Sequence, residues 1–132
     1  MIQDTTAIRM IAGLALAVAL GASAPSAAKK PTPVPLEPTG KTMSCVQTNR
    51  IRQTDVRDDK TIDFRMIDGK VYRNTLPYSC SGLGFEKSFI YKTSISQLCS
   101  VDTITVFRAG GAGIPGPTCG LGTFAEMKKP AK

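Results

Sequence analysis

Four cysteines, at Cys45, Cys80, Cys99 and Cys119, constrain this 132-residue chain more than any other feature. An even cysteine count in a short chain with an export signal reads as a disulfide framework. The cysteines are spread far apart along the chain, no Cys-x-x-Cys occurs, and the chain contains no histidine. Neither a thioredoxin-like redox centre nor a zinc site built from closely paired ligands is therefore expected, and the sequence calls for no metal or cofactor. Four cysteines allow three pairings. The favoured one is Cys80–Cys99, closing a loop around FEKSFIY, with Cys45–Cys119 joining the two ends of the core. The main rival is Cys45–Cys80 with Cys99–Cys119. Burial alone is marginal for a core of roughly 80 residues. Bridges typically worth about 2–4 kcal/mol each therefore matter.

The export signal runs from Met1 to Ala28. Arg9 and the amino terminus precede an apolar run from Met10 to Ala22. Crossing a bilayer core takes roughly 20 residues, more than this run offers. A short apolar run followed by small residues is the pattern of a cleaved secretory signal. Pro25 directly follows Ala22-Ser23-Ala24 and disfavours cleavage there, so the expected cut is after Ala28, in Ser26-Ala27-Ala28. Cleavage removes one acid, Asp4, and one base, Arg9, leaving the net charge at +7 and no transmembrane span in the mature chain. The expected location is the periplasm. Residues 29 to 43 open with KKPTPVPLEPTG, whose four prolines cannot sit in a helix or a central strand, and they read as an extended linker. Residues 44 to 126 are expected to form the folded domain, and residues 127 to 132, MKKPAK, a basic disordered tail.

Within the domain the periodicity is that of strands. In TIDFRMIDGKVYRNTLP, Ile62, Phe64 and Met66 alternate with Asp63 and Arg65, and Asp68-Gly69 marks a hairpin turn. A two-residue turn would put Arg73 opposite Phe64 on the apolar face, where an unpaired charge is costly. A three-residue loop, Ile67-Asp68-Gly69 with Gly69 left-handed, sets Phe64 against Tyr72 and Asp63 against Arg73. The apolar face then gains an aromatic pair, and the outer face an opposite-charge pair. FEKSFIY, residues 85 to 91, reads as a strand with Phe85, Phe89 and Tyr91 on one face. VDTITVF, residues 101 to 107, reads as a strand buried on both sides. Residues 46 to 56 make a weaker strand, and residues 95 to 98 a short strand or a single helical turn. The expected fold is all-β: a small antiparallel sandwich or partly open barrel of five or six strands, stapled by disulfides.

Gly111, Gly113 and Gly116 form a Gly-x-Gly-x-x-Gly after a β-like run. A dinucleotide fingerprint needs a helix opening at its third glycine, then a second strand and an acidic residue about 20 positions on. Pro115 and Pro117 flank Gly116, and the chain ends at Lys132, too soon for those elements. The stretch therefore reads as a loop returning Cys119 to its partner. Without histidine there is no Ser-His-Asp or Cys-His catalytic arrangement. Asp58-Asp59 reads as a turn before Thr61. A Ser-Lys dyad from Lys87 or Lys92 with Ser88, Ser94 or Ser96 carries no specific spacing, and no catalytic residue is assigned.

The positive balance favours anionic envelope partners such as phospholipid head groups, and nucleic acid is not expected after export. The candidate binding surface is Arg50 and Arg52, on one face of an extended segment, with Tyr72, Arg73 and Asn74. Cys45, DDKTIDF (58 to 64), GKVYRNTL (69 to 76), CSGLGFE (80 to 86), LCSVDTITV (98 to 106) and CGLGTF (119 to 124) together carry a resemblance. From Cys45 to Phe124 the chain resembles a family of small exported proteobacterial proteins classed only as a domain of unknown function. The resemblance implies a periplasmic, cystine-bearing β domain and brings no activity or catalytic residue. The expected role is a non-enzymatic envelope module that binds an anionic component or a periplasmic protein. The alternatives are a secreted inhibitor of an acidic enzyme and a histidine-free hydrolase.

Overall fold

A computed structural model describes Gly21, residues 35–110 and residues 114–131. The rest of the expected signal segment, residues 29 to 34 of the linker, and Gly111 and Gly113 lie outside the described residues. In chain order the strands are β1 (Glu37–Met43), β2 (Cys45–Gln47), β3 (Ile51–Val56), β4 (Thr61–Met66) and β5 (Val71–Thr75). They continue with β6 (Phe89–Tyr91), β7 (Gln97–Cys99), β8 (Thr103–Val106), β9 (Thr118–Gly120) and β10 (Phe124–Lys128). A single helical turn, α1 (Leu83–Glu86), precedes β6. All ladders among the described residues are antiparallel. They form a five-stranded sheet in the order β1-β10-β5-β4-β3, a pair β2-β7, and a three-stranded sheet β6-β8-β9. The all-β, disulfide-stabilised class is as expected, and the sheets do not close into a barrel. The strands outnumber the expected five or six because several are only three residues long, too short to register as alternation.

The β4–β5 hairpin has the bulged register. Phe64 faces Tyr72 and Asp63 faces Arg73. The Met66 amide donates to the Lys70 carbonyl across a three-residue loop, with Gly69 at φ +86°. Alternation then sends Ile62, Phe64 and Met66 to one face. There they pack with Tyr72, Leu76 and Phe124 against Val46 and Leu98 of the β2-β7 pair and Ile104 and Val106 of β8. Phe64 lies at the centre, edge-on to Phe124 at 5.4 Å and to Phe89 of the three-stranded sheet at 6.2 Å. Burying side chains of this size contributes about 1.5–3 kcal/mol each, so this single cluster accounts for much of the cohesion between the layers.

Five expectations are corrected. The disulfides are Cys45–Cys99 and Cys80–Cys119, neither the favoured Cys80–Cys99 with Cys45–Cys119 nor its rival. Pairing of β2 with β7 sets Cys45 directly opposite Cys99, and β9 brings Cys119 to the loop that leaves β5. The linker and tail are not both unstructured. Residues 37 to 43 form edge strand β1 along β10, which runs on through Met127 and Lys128, and Met127 is buried. Pro38 is compatible with this because an edge strand leaves one side of its backbone unpaired. Residues 85 to 88 are not strand. Leu83 is the buried residue of α1, Lys87 adopts φ +55°, and Phe85 is 88% exposed rather than sharing a face with Phe89. Finally, β8 is buried on one face only: Ile104 and Val106 are enclosed while Val101 and Phe107 are exposed. Residues 46 to 56 are likewise split, by a 3-10 turn at Thr48–Arg50.

Candidate binding surfaces

The face of the five-stranded sheet turned away from the core carries an arginine–aspartate network. Asp55 and Asp63 stand opposite one another across β3 and β4, a like-charge pair that is destabilising by itself. Arg57 donates from Nε to Asp63 Oδ2 at 2.8 Å, and Arg73 donates from Nε and Nη2 to both oxygens at 2.7 and 2.9 Å. Arg65 Nε and Gln53 Nε2 donate to Asp55. The Asp63 side chain is fully buried beneath the two guanidinium groups, whose side chains keep about a quarter of their exposure. Burial by itself pushes the Asp63 carboxyl up. The hydrogen bonds from Arg73 and Arg57, with their charge, outweigh it and hold the carboxyl below the usual carboxylate range. Asp55 is shifted the same way, against the same desolvation, by Arg65 and Gln53. The opposite-charge pair expected at Asp63 and Arg73 is present, but it is a buried clamp rather than a surface pair.

The candidate binding residues do not form one surface. Tyr72 is packed in the core. The fully buried Asn74 uses its amide as a substitute strand partner, donating to the Gly122 carbonyl at 2.6 Å and accepting from the Gly122 amide at 2.8 Å. A Cβ on Gly122 would run into the Thr75 carbonyl oxygen, so only glycine allows this approach. Arg73 is committed to Asp63. Arg50 lies in the 3-10 turn and pairs loosely with Asp68 at 3.4 Å, and Arg52 sits at the irregularity between Ile51 and Gln53 in the β3–β4 ladder. Only Arg50 and Arg52 of the five are exposed. Asn and Tyr within a strand give no sequence signal for which way the core lies, beyond the register that already turned Tyr72 inward.

Other residues singled out in the sequence take local structural roles. Gly116 packs where a Cβ would meet Val106 at 2.8 Å, and its amide donates to the Val106 carbonyl, so it serves loop closure on β8. Asp58 caps the turn by accepting from the Lys60 amide, and Asp59 accepts from the Gly84 amide. Lys87 Nζ donates to the Val56 carbonyl, and no hydrogen bond joins a serine to a lysine among the described residues. Among those residues no three His, Cys, Asp or Glu side chains could hold a metal ion, and no helix is long and apolar enough to cross a membrane.

Two of the open grooves among the described residues carry several charged side chains. One, of about 790 Å³, lies beside α1 between Arg57, Asp58, Lys60 and the exposed ring of Phe85. The other, of about 530 Å³, lies at the β4–β5 turn and the end of β10, against Leu36, and gathers Arg65, Lys70, Lys128 and Lys129. Sequence reasoning missed the second because Lys128 and Lys129 read as tail. The partner that gives Lys128 a fixed position, Glu37 of β1, was hidden in the proline-rich stretch. No family model, curated protein or solved structure matches the chain.

Proposed function

We propose that the chain is an exported, non-enzymatic module of the cell envelope that binds an anionic component. The observation that carries this reading is the complete pairing of the four cysteines into two disulfides, which fits a protein that works in an oxidising compartment. The signal-like residues 1 to 28, the net charge of +7 and the resemblance to small exported proteins point the same way. The carboxylates and arginines that alternation places together are engaged with one another or with backbone amides, which supports a structural rather than catalytic use.

The test has two parts. Intact mass after native thiol alkylation of protein recovered from cells should show a chain beginning at Lys29 with no alkylated thiol. Incubated with envelope fractions, the same protein should be retained at low salt and released at high salt, as for contacts screened over about 10 Å at 0.1 M. Alkylated thiols, or an absence of retention at either salt concentration, would overturn the proposal.

A further inference from the structure

We propose that the groove at the β4–β5 turn binds the phosphate headgroup of an anionic lipid in a membrane surface, with the lipid's first methylenes against an apolar floor. The inference rests on the envelope-binding reading and assigns that reading a site and a ligand class.

The strand register builds the groove. Arg65 on β4, Val71 on β5, Met127 on β10 and Pro38 on β1 occupy one row across the sheet. Three rungs of that row, Val71, Met127 and Pro38, are apolar although it lies on the face opposite the core. Val71 and Met127 are 7% and 8% exposed, and with Leu36 they form the floor. Around the floor stand four cations, Arg65, Lys70, Lys128 and Lys129. The only acid in the lining, Asp68, already accepts from Arg50 and from the Lys70 amide. Glu37 stands opposite Lys128 in the β1–β10 register and makes no ion pair among the described residues. Arg65 commits its Nε to Asp55, which fixes the guanidinium, and among the described residues its other nitrogens have no hydrogen-bond partner.

An excess of cations around an apolar strip matches an amphiphile with a negative head and a hydrocarbon neck, and neither half alone explains the other. Long lysine stems lie along apolar surface while their ammonium groups reach the charge. A fixed guanidinium offers paired N–H donors to phosphate oxygens. The volume of about 530 Å³ falls in the range of small-ligand sites.

The probe is a set of vesicles of zwitterionic phosphatidylcholine with or without phosphatidylglycerol, and the readout is co-sedimentation of the oxidised protein in the form recovered from cells. Binding should require phosphatidylglycerol. Each lysine near an anionic membrane contributes on the order of fivefold in affinity, so K128Q/K129Q should bind more than tenfold more weakly. L36N, which leaves the charge unchanged, should weaken binding severalfold. K92Q/R108Q removes the same charge outside the groove and should change affinity less than twofold. Equal losses in both double variants would overturn the site, because binding would then follow net charge alone. An unchanged L36N would overturn the apolar floor, and full competition by millimolar inorganic phosphate would overturn the lipid in favour of a free anion. If envelope retention persists in K128Q/K129Q, the groove assignment fails while the envelope-binding reading stands. If the unsubstituted protein is not retained by envelope fractions at all, both fail.

Discussion

The two layers of the molecule are held together by different means. The five-stranded sheet has strands of five to seven residues, ladders of four or five paired positions and no cysteine. The opposite layer is assembled from strands of three or four residues, and it carries Cys45, Cys99 and Cys119. A three-residue strand forms too few ladder hydrogen bonds to offset the entropy of ordering it, so short strands depend on packing and on covalent ties. One disulfide closes the β2-β7 pair on itself, and the other ties β9 to the loop that leaves β5. The lesson is that the cross-links lie where the backbone cannot hold itself.

Removing the disulfides is the strongest way to break that contrast. Loops closed over 54 and 39 residues give about 4 kcal/mol each in a chain-entropy estimate. Together these are comparable with the whole stability of a small domain, about 5–15 kcal/mol. Reduction should therefore unfold the protein or leave it marginal. In C45A/C99A, hydrogen exchange should show β2 and β7 losing protection well before β4 and β5, and simultaneous loss in both layers would contradict the contrast. The next effect is at the contact between layers. Phe64→Ala should cost about 3–5 kcal/mol in denaturant unfolding, because its ring meets Phe124 and Phe89 from both sides.

Gly122→Ala tests the segment that links the layers. The new Cβ must displace the Thr75 carbonyl and break the Asn74 pairing, at about 3 kcal/mol, and Asn74→Ala should lose less because it introduces no clash. The arginine–aspartate network is the five-stranded sheet's own electrostatic tie. Its folded-state carboxyl pKa values are depressed, so its contribution is complete above the unfolded value of about 4 and is lost as pH falls through the folded values. Thermal unfolding between pH 5 and pH 2 should show this loss. Asp63→Asn should flatten it, at a cost of about 1–3 kcal/mol at neutral pH, since the two arginines retain partial solvent access. Smallest of all, Arg50→Ala should change stability by less than about 0.5 kcal/mol, because its pair with Asp68 is long and exposed.

Local physics made part of this molecule legible in advance. The register of the β4–β5 hairpin followed from two costs inside a single hairpin, an arginine on an apolar face and a glycine that tolerates positive φ. The turn role of Asp58 followed from equally short-range chemistry. The candidate binding residues fared worse. Tyr72 and Asn74 belong to the expected binding surface, yet the hairpin register itself places Tyr72 on the apolar face, and Asn74 lies two residues along on that face. What Asn74 does there depends on Gly122, 48 positions away.

The sequence by itself determined the all-β class, the oxidised pairing of an even set of cysteines, and the bulged hairpin, because alternation, turn chemistry and thiol count act within a few residues or not through position at all. Only the tertiary structure decided which cysteines meet, that a proline-rich stretch becomes edge strand β1, that Phe85 faces solvent, and that Asp63 is buried between two arginines. Each of these depends on which distant strands become neighbours. That choice is set by the burial of the whole apolar surface at once, and no local window of the chain contains it.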